Sequence, residues 1–341
     1  MVLAEILLLL LAFPSVSLAS EAEAEALEGD TASADATCGY LYERIVSIAD
    51  LHGDLEKAKK VLKLTGVVGE NGQWIGGNKT LLIQTGDMVD RGPNSLEVVE
   101  YFQKLQKSAD SAGGKVVNLL GNHEIMLLDG RSYYLNPEEA KRHGGREQFL
   151  SVFEEKVGEF LRKLPVVHLA DRTLYTHAGL EPKFGNLDLE SINIIATKGL
   201  QKGNSGHHRS SAASSILQSQ HGPVWTRGYD IDYPQDAEAA CSLLAKTLTA
   251  FNADRMVIGH NVQRNAQPGV HCDGKLFLMD VGMSRVYGDA SPVVLEVRSR
   301  TAASSTGGGS EGSSSSSKSG ERAGCQQEVR LIKEDVCETI A

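Results

Sequence analysis

Leu81-Leu82-Ile83-Gln84-Thr85-Gly86-Asp87-Met88-Val89-Asp90-Arg91-Gly92 is the stretch that decides how this chain folds. Leu81 to Gln84 is short and apolar, which reads as a buried strand rather than a helix. The strand ends at Thr85-Gly86, and two aspartates and an arginine follow within one turn. Acidic groups at the end of a buried strand are costly unless something neutralises them. Asp87, Asp90 and Arg91 suit a hard cation and a phosphate together. Taken alone, the heptad from Gly86 would pass as an acidic surface turn. Three further strand ends of the same kind argue against that.

The first is Arg44 to Ala49, a β-branched strand running into Asp50-Leu51-His52-Gly53-Asp54. The second is Lys115 to Leu120, ending in Gly121-Asn122-His123-Glu124. The third is Arg255 to Gly259, ending at His260-Asn261. The short strands Val166 to Leu169 and Thr173 to Thr176 add His177-Ala178-Gly179-Leu180. Between them the pattern predicts helices over Leu55 to Leu64, with Asp54 as N-cap, over Pro93 to about Ala109, over Arg146 to Leu164 and over Asp236 to Phe251. Leu276 to Asp280 and Pro292 to Val297 read as closing strands.

Asp50, His52, Asp87, Asn122, His177 and His260 offer carboxylate, imidazole and amide oxygen, the donors that divalent transition metals take. Strands of one sheet converge their ends, so these residues can meet. Asp87, centrally placed, can bridge two ions, and two metals about 3.5–4 Å apart clamp a phosphate and activate a hydroxide between them. No Ser or Cys elbow competes for the nucleophile's role. His123 directly follows Asn122 and faces the substrate side. Paired with Asp90, it suits a general acid for a leaving oxygen. Arg91 and Arg227 offer the planar forks that phosphate recognition favours. His143, His168, His207, His208, His221 and His271 fit no such pattern and read as loop or packing residues. Trp74 and Trp225 read as packing.

Asp50-x-His52-Gly53, Gly86-Asp87-x-x-Asp90-Arg91-Gly92, Gly121-Asn122-His123-Glu124, His177-x-Gly179-Leu180 and Gly259-His260 resemble, in order, the motif set of the PPP metallophosphatases of the calcineurin-like superfamily. Trp74 to Gly77, Pro223 to Arg227 and Asp280 to Ser284 are similar to the Shewanella-like protein phosphatase branch. The resemblance spans about residues 44–297. It implies an α/β fold, a two-sheet β-sandwich flanked by helices with a dimetal site at strand C-terminal ends. It also implies hydrolysis of a phosphorylated protein or peptide. One metal falls to Asp50, His52 and Asp87, the other to Asp87, Asn122, His177 and His260, with Mn, Fe or Zn as the ions. His123 with Asp90 becomes the general acid pair, and Arg91, Asn122 and Arg227 bind phosphate. Ala49 stands where most members have Gly, Ala178 stands where eukaryotic Ser/Thr members have a second Gly, and the Ser-Ala-Pro-Asn-Tyr-Cys-Gly segment of those eukaryotic enzymes is missing. Two other classes stay open: a dinucleoside polyphosphate hydrolase, whose Asn-His-Asp differs from Asn122-His123-Glu124 here, and a non-catalytic metal-binding pseudo-phosphatase.

The remaining segments bear on context. The formal net charge is -10, which disfavours nucleic acid as a partner and requires any phosphate site to build its own positive field. Ile6 to Phe13 is an apolar run too short to span a bilayer, and Ser17-Leu18-Ala19 has small residues at cleavage spacing. Residues 1–20 therefore read as a secretory signal, despite the absence of Lys or Arg before Arg44. Residues 21–37 are acidic and read as disordered. The domain is expected over 38–298, with a mobile insertion at 199–222 and a disordered Ser/Gly-rich tail at 299–341. No stable membrane span follows after cleavage, and the oligomeric state is open. The five cysteines form no framework, and Cys325 and Cys337 are candidates to pair in the tail.

Overall fold

In a computed structural model the described residues are 40–203, 208–231, 233, 235–301, 325–334 and 336–340. The signal and the acidic stretch lie outside them. The three motif-bearing strands β1 (Arg44–Ile48), β2 (Thr80–Gln84) and β3 (Lys115–Asn118) run parallel. Every residue of β2 is buried, the mark of a central strand covered on both faces. Helix α1 (Leu55–Thr65) starts at Asp54, whose carboxylate accepts from the Lys57 amide, and stops at left-handed Gly66. Helix α2 (Ser95–Ser111) returns the chain to β3.

Immediately after β3 the chain turns into α3 (Asn122–Leu128), where only a strand end was expected. Glu124 makes that helix possible, since its carboxylate accepts the Gly121 amide at 2.7 Å. Helix α4 (Pro137–Arg142) follows. The helix expected over 146–164 is interrupted: α5 (Arg146–Phe153) passes through a π-helical turn at Glu154–Gly158 into α6 (Glu159–Leu161).

A second sheet is built on β4 (Val167–Ala170) and β5 (Thr173–Thr176). Helices α7 (Leu189–Gly199), α8 (Ser211–Leu217) and α9 (Asp236–Ala250) come next in the chain. Strands β6 (Arg255–Ile258), β7 (Gly269–His271) and β8 (Leu276–Leu278) complete it in the order β4-β5-β6-β8-β7. The insertion at 199–222 is thus partly helical. Ser210 caps α8, and Arg209 ties the insertion to Asp129 at the end of α3.

The tail corrects the largest expectation. β9 (Val294–Thr301) extends past 298, and β10 (Cys325–Lys333) and β11 (Val336–Thr339) pair onto it, giving a first sheet ordered β11-β10-β9-β1-β2-β3. In β10, Val329 and Leu331 are buried while Glu328 and Arg330 are partly exposed, the period-two pattern of a strand with one covered face. The Ser/Gly run before it imposed its composition on the whole tail. Arg255 of β6 donates to Gln327 of β10 at 2.8 Å, joining the two sheets. The Cys325–Cys337 pairing also fails, because Cys337 is a free, exposed thiol. Among the described residues a disulfide links Cys241 in α9 to Cys272 after β7. Among the described residues no helix is long and apolar enough to cross a membrane.

The hairpin is therefore part of the core. Leu331→Ala should cost about 2–5 kcal/mol of stability, read as a lower urea midpoint. A chain ending before residue 325 should melt well below the full chain. Unchanged melting of the truncated chain would restore the tail to a dispensable appendage.

Candidate metal centre

The loops after β1 and β2 are zipped by backbone hydrogen bonds. The amides of Leu51 and His52 donate to the Asp87 carbonyl at 2.9 and 3.0 Å, and Gly53 donates to Met88 at 2.8 Å. Asp87 itself has φ 55°, and His52, Asp90, Arg91 and His260 also sit in left-handed backbone at 43°, 67°, 69° and 63°. Each such residue costs on the order of 1 kcal/mol or more, and strain of this kind concentrates at functional sites. Gly86 (φ 99°) precedes Asp87 because a Cβ there would strike the Gly121 backbone at 2.6 Å.

Glu124 holds this turn together. Its carboxylate accepts from the amides of Asp87 (2.9 Å), Met88 (2.7 Å) and Gly121. The His123 amide donates to Asp87 Oδ1 at 3.0 Å, which aims Oδ2 at the centre.

There the acceptors crowd. His177 Nδ1 lies 3.0 Å from the Thr85 carbonyl, which can only accept, so Nδ1 carries the proton. Its Nε2 then points at Asn122 Oδ1 (3.0 Å), His260 Nδ1 (3.1 Å) and Asp87 Oδ2 (3.3 Å). On the other side His52 Nδ1 faces the Val89 carbonyl at 3.2 Å, leaving Nε2 at 3.8 Å from both Asp50 Oδ2 and Asp87 Oδ2. Carboxylate, amide and imidazole atoms so close repel unless a proton or a cation lies between them. The field is visible in the titrations. Burial opposes charge on His177, yet Asp87 and Asp50 push it up to about 9. Burial holds His52 down to about 3 and, with His177, His260 down to about 2, so both stay neutral as ligands must.

The structure thus brings together Asp50, His52, Asp87, Asn122, His123, His177 and His260, and Asp87 Oδ2 stands between the two groups. Among the described residues, two triads have ligand atoms within 4.8 Å of one another: His52, Asp87 and His123, and Asp87, His177 and His260. The donor set, oxygen and imidazole only, fits hard-to-borderline divalent ions.

His123 belongs to a triad that the spacing did not suggest. Its Nδ1 is 2.8 Å from Asp90 Oδ2 and its Nε2 is 3.8 Å from Asp87 Oδ2. Burial works against its charge, but Asp87 and Asp90 hold it above the ordinary histidine value. Arg91 lies under Tyr134, 4.0 Å from the ring, and 5.7 Å from Tyr287. Arg227 donates to Asn261 Oδ1 at 2.7 Å and is largely exposed.

The tyrosines were not foreseen. Tyr287 packs on His52 and Tyr134 on His123, yet both sit in loops without diagnostic spacing. His221 pairs with Glu181 and His143 packs on Phe149, away from the centre.

Comparison with known proteins agrees with this geometry. The calcineurin-like phosphoesterase family model matches residues 43–264. Shewanella-like protein phosphatase 1 of Plasmodium berghei is 32% identical over 261 residues, covering 74% of this chain and 71% of that one. Shewanella-like protein phosphatase 2 of Arabidopsis thaliana is 27% identical over 302 residues, covering 75% of each. The cold-active protein tyrosine phosphatase of a psychrophilic Shewanella has the same fold, with a TM-score of 0.67 at 21% identity over 88% of this chain and 81% of that one.

Behind Asp90 a buried relay fixes its place. The Asp90 amide donates to Ser95 Oγ (3.0 Å), which donates to Glu139 Oε2 (2.7 Å), while Leu96 N donates to Glu139 Oε1. Glu139 thereby caps α2 from a distant helix. Burial pushes its carboxyl from 4.5 up to about 7. The folded state holds that proton more tightly than the unfolded chain does. The stability it contributes is complete below about 4.5 and is lost as pH rises through about 7, roughly 3 kcal/mol. Urea midpoints across this window should fall more steeply for the wild type than for Glu139→Gln. Parallel slopes would show that Glu139 does not titrate there.

Proposed function

The chain belongs to the calcineurin-like phosphoesterases, and from that premise we propose that it is a metal-dependent phosphoprotein phosphatase. The observation that carries this reading is the His123–Asp90 contact of 2.8 Å beside the shared Asp87. In this reading Asp50, His52 and Asp87 hold one divalent ion, and Asp87, Asn122, His177 and His260 hold the other, with Mn, Fe or Zn as the ions. When bound, the ions supply Lewis acidity and lower the pKa of water.

The chain's own residues do the rest. Arg91, braced by Tyr134 and Tyr287, and Arg227, held by Asn261, bind the phosphate oxygens as planar forks. His123 stands charged beside Asp90 and gives its proton to the departing alkoxide or phenoxide as the P–O bond breaks. Asp90 keeps the ring oriented with Nδ1 protonated, so that Nε2 faces the leaving group. A protein substrate is supported by the names of the relatives, both called protein phosphatases.

General-acid catalysis is worth about 10²–10⁴-fold. His123→Asn should lose that much on a phosphoserine peptide. It should lose far less on para-nitrophenyl phosphate, whose leaving group departs unaided. Asp90→Asn should follow the trend more weakly. Equal losses on both substrates, with chemistry limiting each rate, would make His123 a phosphate-binding group. Faster turnover of diadenosine tetraphosphate than of any phosphopeptide would favour the dinucleoside polyphosphate reading, and no turnover of either the pseudo-phosphatase.

We also place the protein in an oxidising compartment, reached through cleavage after residues 17–19. The Cys241–Cys272 disulfide supports this, since such bonds persist where thiols are not kept reduced. N-terminal sequencing of protein from its own cells should find Ser20 or Glu21 first, and an intact Met1 would refute the leader.

A further inference from the structure

One buried carboxylate at the centre has no role in the account so far. Asp280 follows β8 by two residues, at the same strand ends that present His260 and His177. Its backbone is pinned there. Met279 N donates to the Ile258 carbonyl at 2.8 Å, and the Asp280 carbonyl accepts from Gln263 N at 2.8 Å. Only 2% of Asp280 is exposed. Oδ1 accepts the Gly282 amide at 3.0 Å, which fixes the plane of the carboxyl group, while Oδ2 is buried without a hydrogen-bond partner.

A turn-forming Asp needs one acceptor oxygen, and Asn would serve as well. The second oxygen is the part left unexplained. Leaving a buried acceptor of this kind unsatisfied costs about 1–3 kcal/mol, and more if it is charged.

The sheet places it: β6 and β8 pair with Ile258 opposite Leu278, and the two backbone bonds above set Asp280 beside the turn that carries His260, with the electrostatic neighbours in agreement. After burial itself, Asp280 is the largest influence raising the carboxyl of Asp50. Burial pushes Asp280 up to about 6, with Asp87 adding to the rise and His177 and Arg227 opposing it. Tyr287 feels it as well. All of these groups line the metal centre. Asp280 nevertheless belongs to neither ligand triad.

We propose that Asp280 is an outer carboxylate of the metal centre, with Oδ2 accepting a hydrogen bond from water held on a divalent ion on the Asp50 side. This rests on the reading that Asp87 and its neighbours hold divalent ions. The role is positioning rather than catalytic: Asp280 adds negative charge facing the ions and orients their hydration. Partners one shell beyond the ligands typically govern 10–100-fold of metal affinity.

The test is Mn²⁺ binding to the full-length, metal-stripped protein, followed by calorimetry and by metal content after dialysis, with no substrate present. Asp280→Asn keeps the turn acceptor and removes the charge. It should bind Mn²⁺ 10–100-fold more weakly with the number of ions unchanged. The metal-free variant should melt at or above the wild type, because a buried unpaired charge is gone. Affinity within twofold of the wild type would overturn the assignment. Loss of one ion altogether would also overturn it, making Asp280 a direct ligand. Should Asp280→Asn fail to fold, Asp280→Ser, which retains a turn acceptor, is read the same way. Asp87→Asn separates the two levels. If it binds Mn²⁺ like the wild type, the metal reading itself falls; if it loses metal while Asp280→Asn does not, this inference alone falls.

Discussion

The Asp87 carboxylate is the constraint on which the rest of the structure depends. One oxygen is taken by the His123 amide, and the other is shared among three imidazoles at 3.3 to 3.8 Å. The Nδ1 atoms of His52 and His177 are directed at the carbonyls of Val89 and Thr85, which turns both Nε2 atoms toward that oxygen. The ring orientations are therefore settled by the backbone, and the Nε2 atoms converge on Asp87. A carboxylate ringed in this way is stable only around positive charge, supplied by protons on the imidazoles or by a metal ion.

Holding Asp87 in place is expensive, and the fold spreads the cost. Five residues of the centre other than glycine accept left-handed backbone. Glu124 compensates by collecting three amides of the two neighbouring turns, and Glu139 performs the equivalent service for Asp90 through Ser95. Both anchors are themselves buried acids. The centre is thus supported by carboxylates at two depths, one set facing inward to the ions and one set facing the amides of the loops that carry it. Packing of β2 on both faces keeps these loops from relaxing.

The inner residues were legible in the sequence because each follows a short apolar strand within a few positions, and strand ends must converge. Glu124 was visible in its motif, but its function was not, since it acts by reaching back to amides that any residue could carry. Tyr134, Tyr287 and Asp280 approach from loops whose course is set by tertiary contacts. Arg285 clamps Asp54, for example, and so fixes the 280–290 segment against the start of α1. The disulfide joins Cys241 and Cys272 across two elements whose adjacency only the sheet order determines. The hairpin β10–β11 was hidden by the composition of its neighbour, although Val329 and Leu331 alternate as a strand should.

The charge balance orders events at the site. The chain carries a net charge of -10, and Asp50, Asp87, Asp90 and Asp280 are all buried around the point where a phosphate must arrive. Arg91 and Arg227 are the rim cations identified beside it, and one of them is bent over an aromatic face rather than extended. Two guanidinium groups and the raised imidazoles of His123 and His177 stand there against four buried carboxyls, three of which, Asp50, Asp90 and Asp280, burial pushes up. Cations held at the centre would add to the attraction for a phosphate. The carboxylates that would repel a phosphate are also the ones that would hold such cations, so the same charges bear on both.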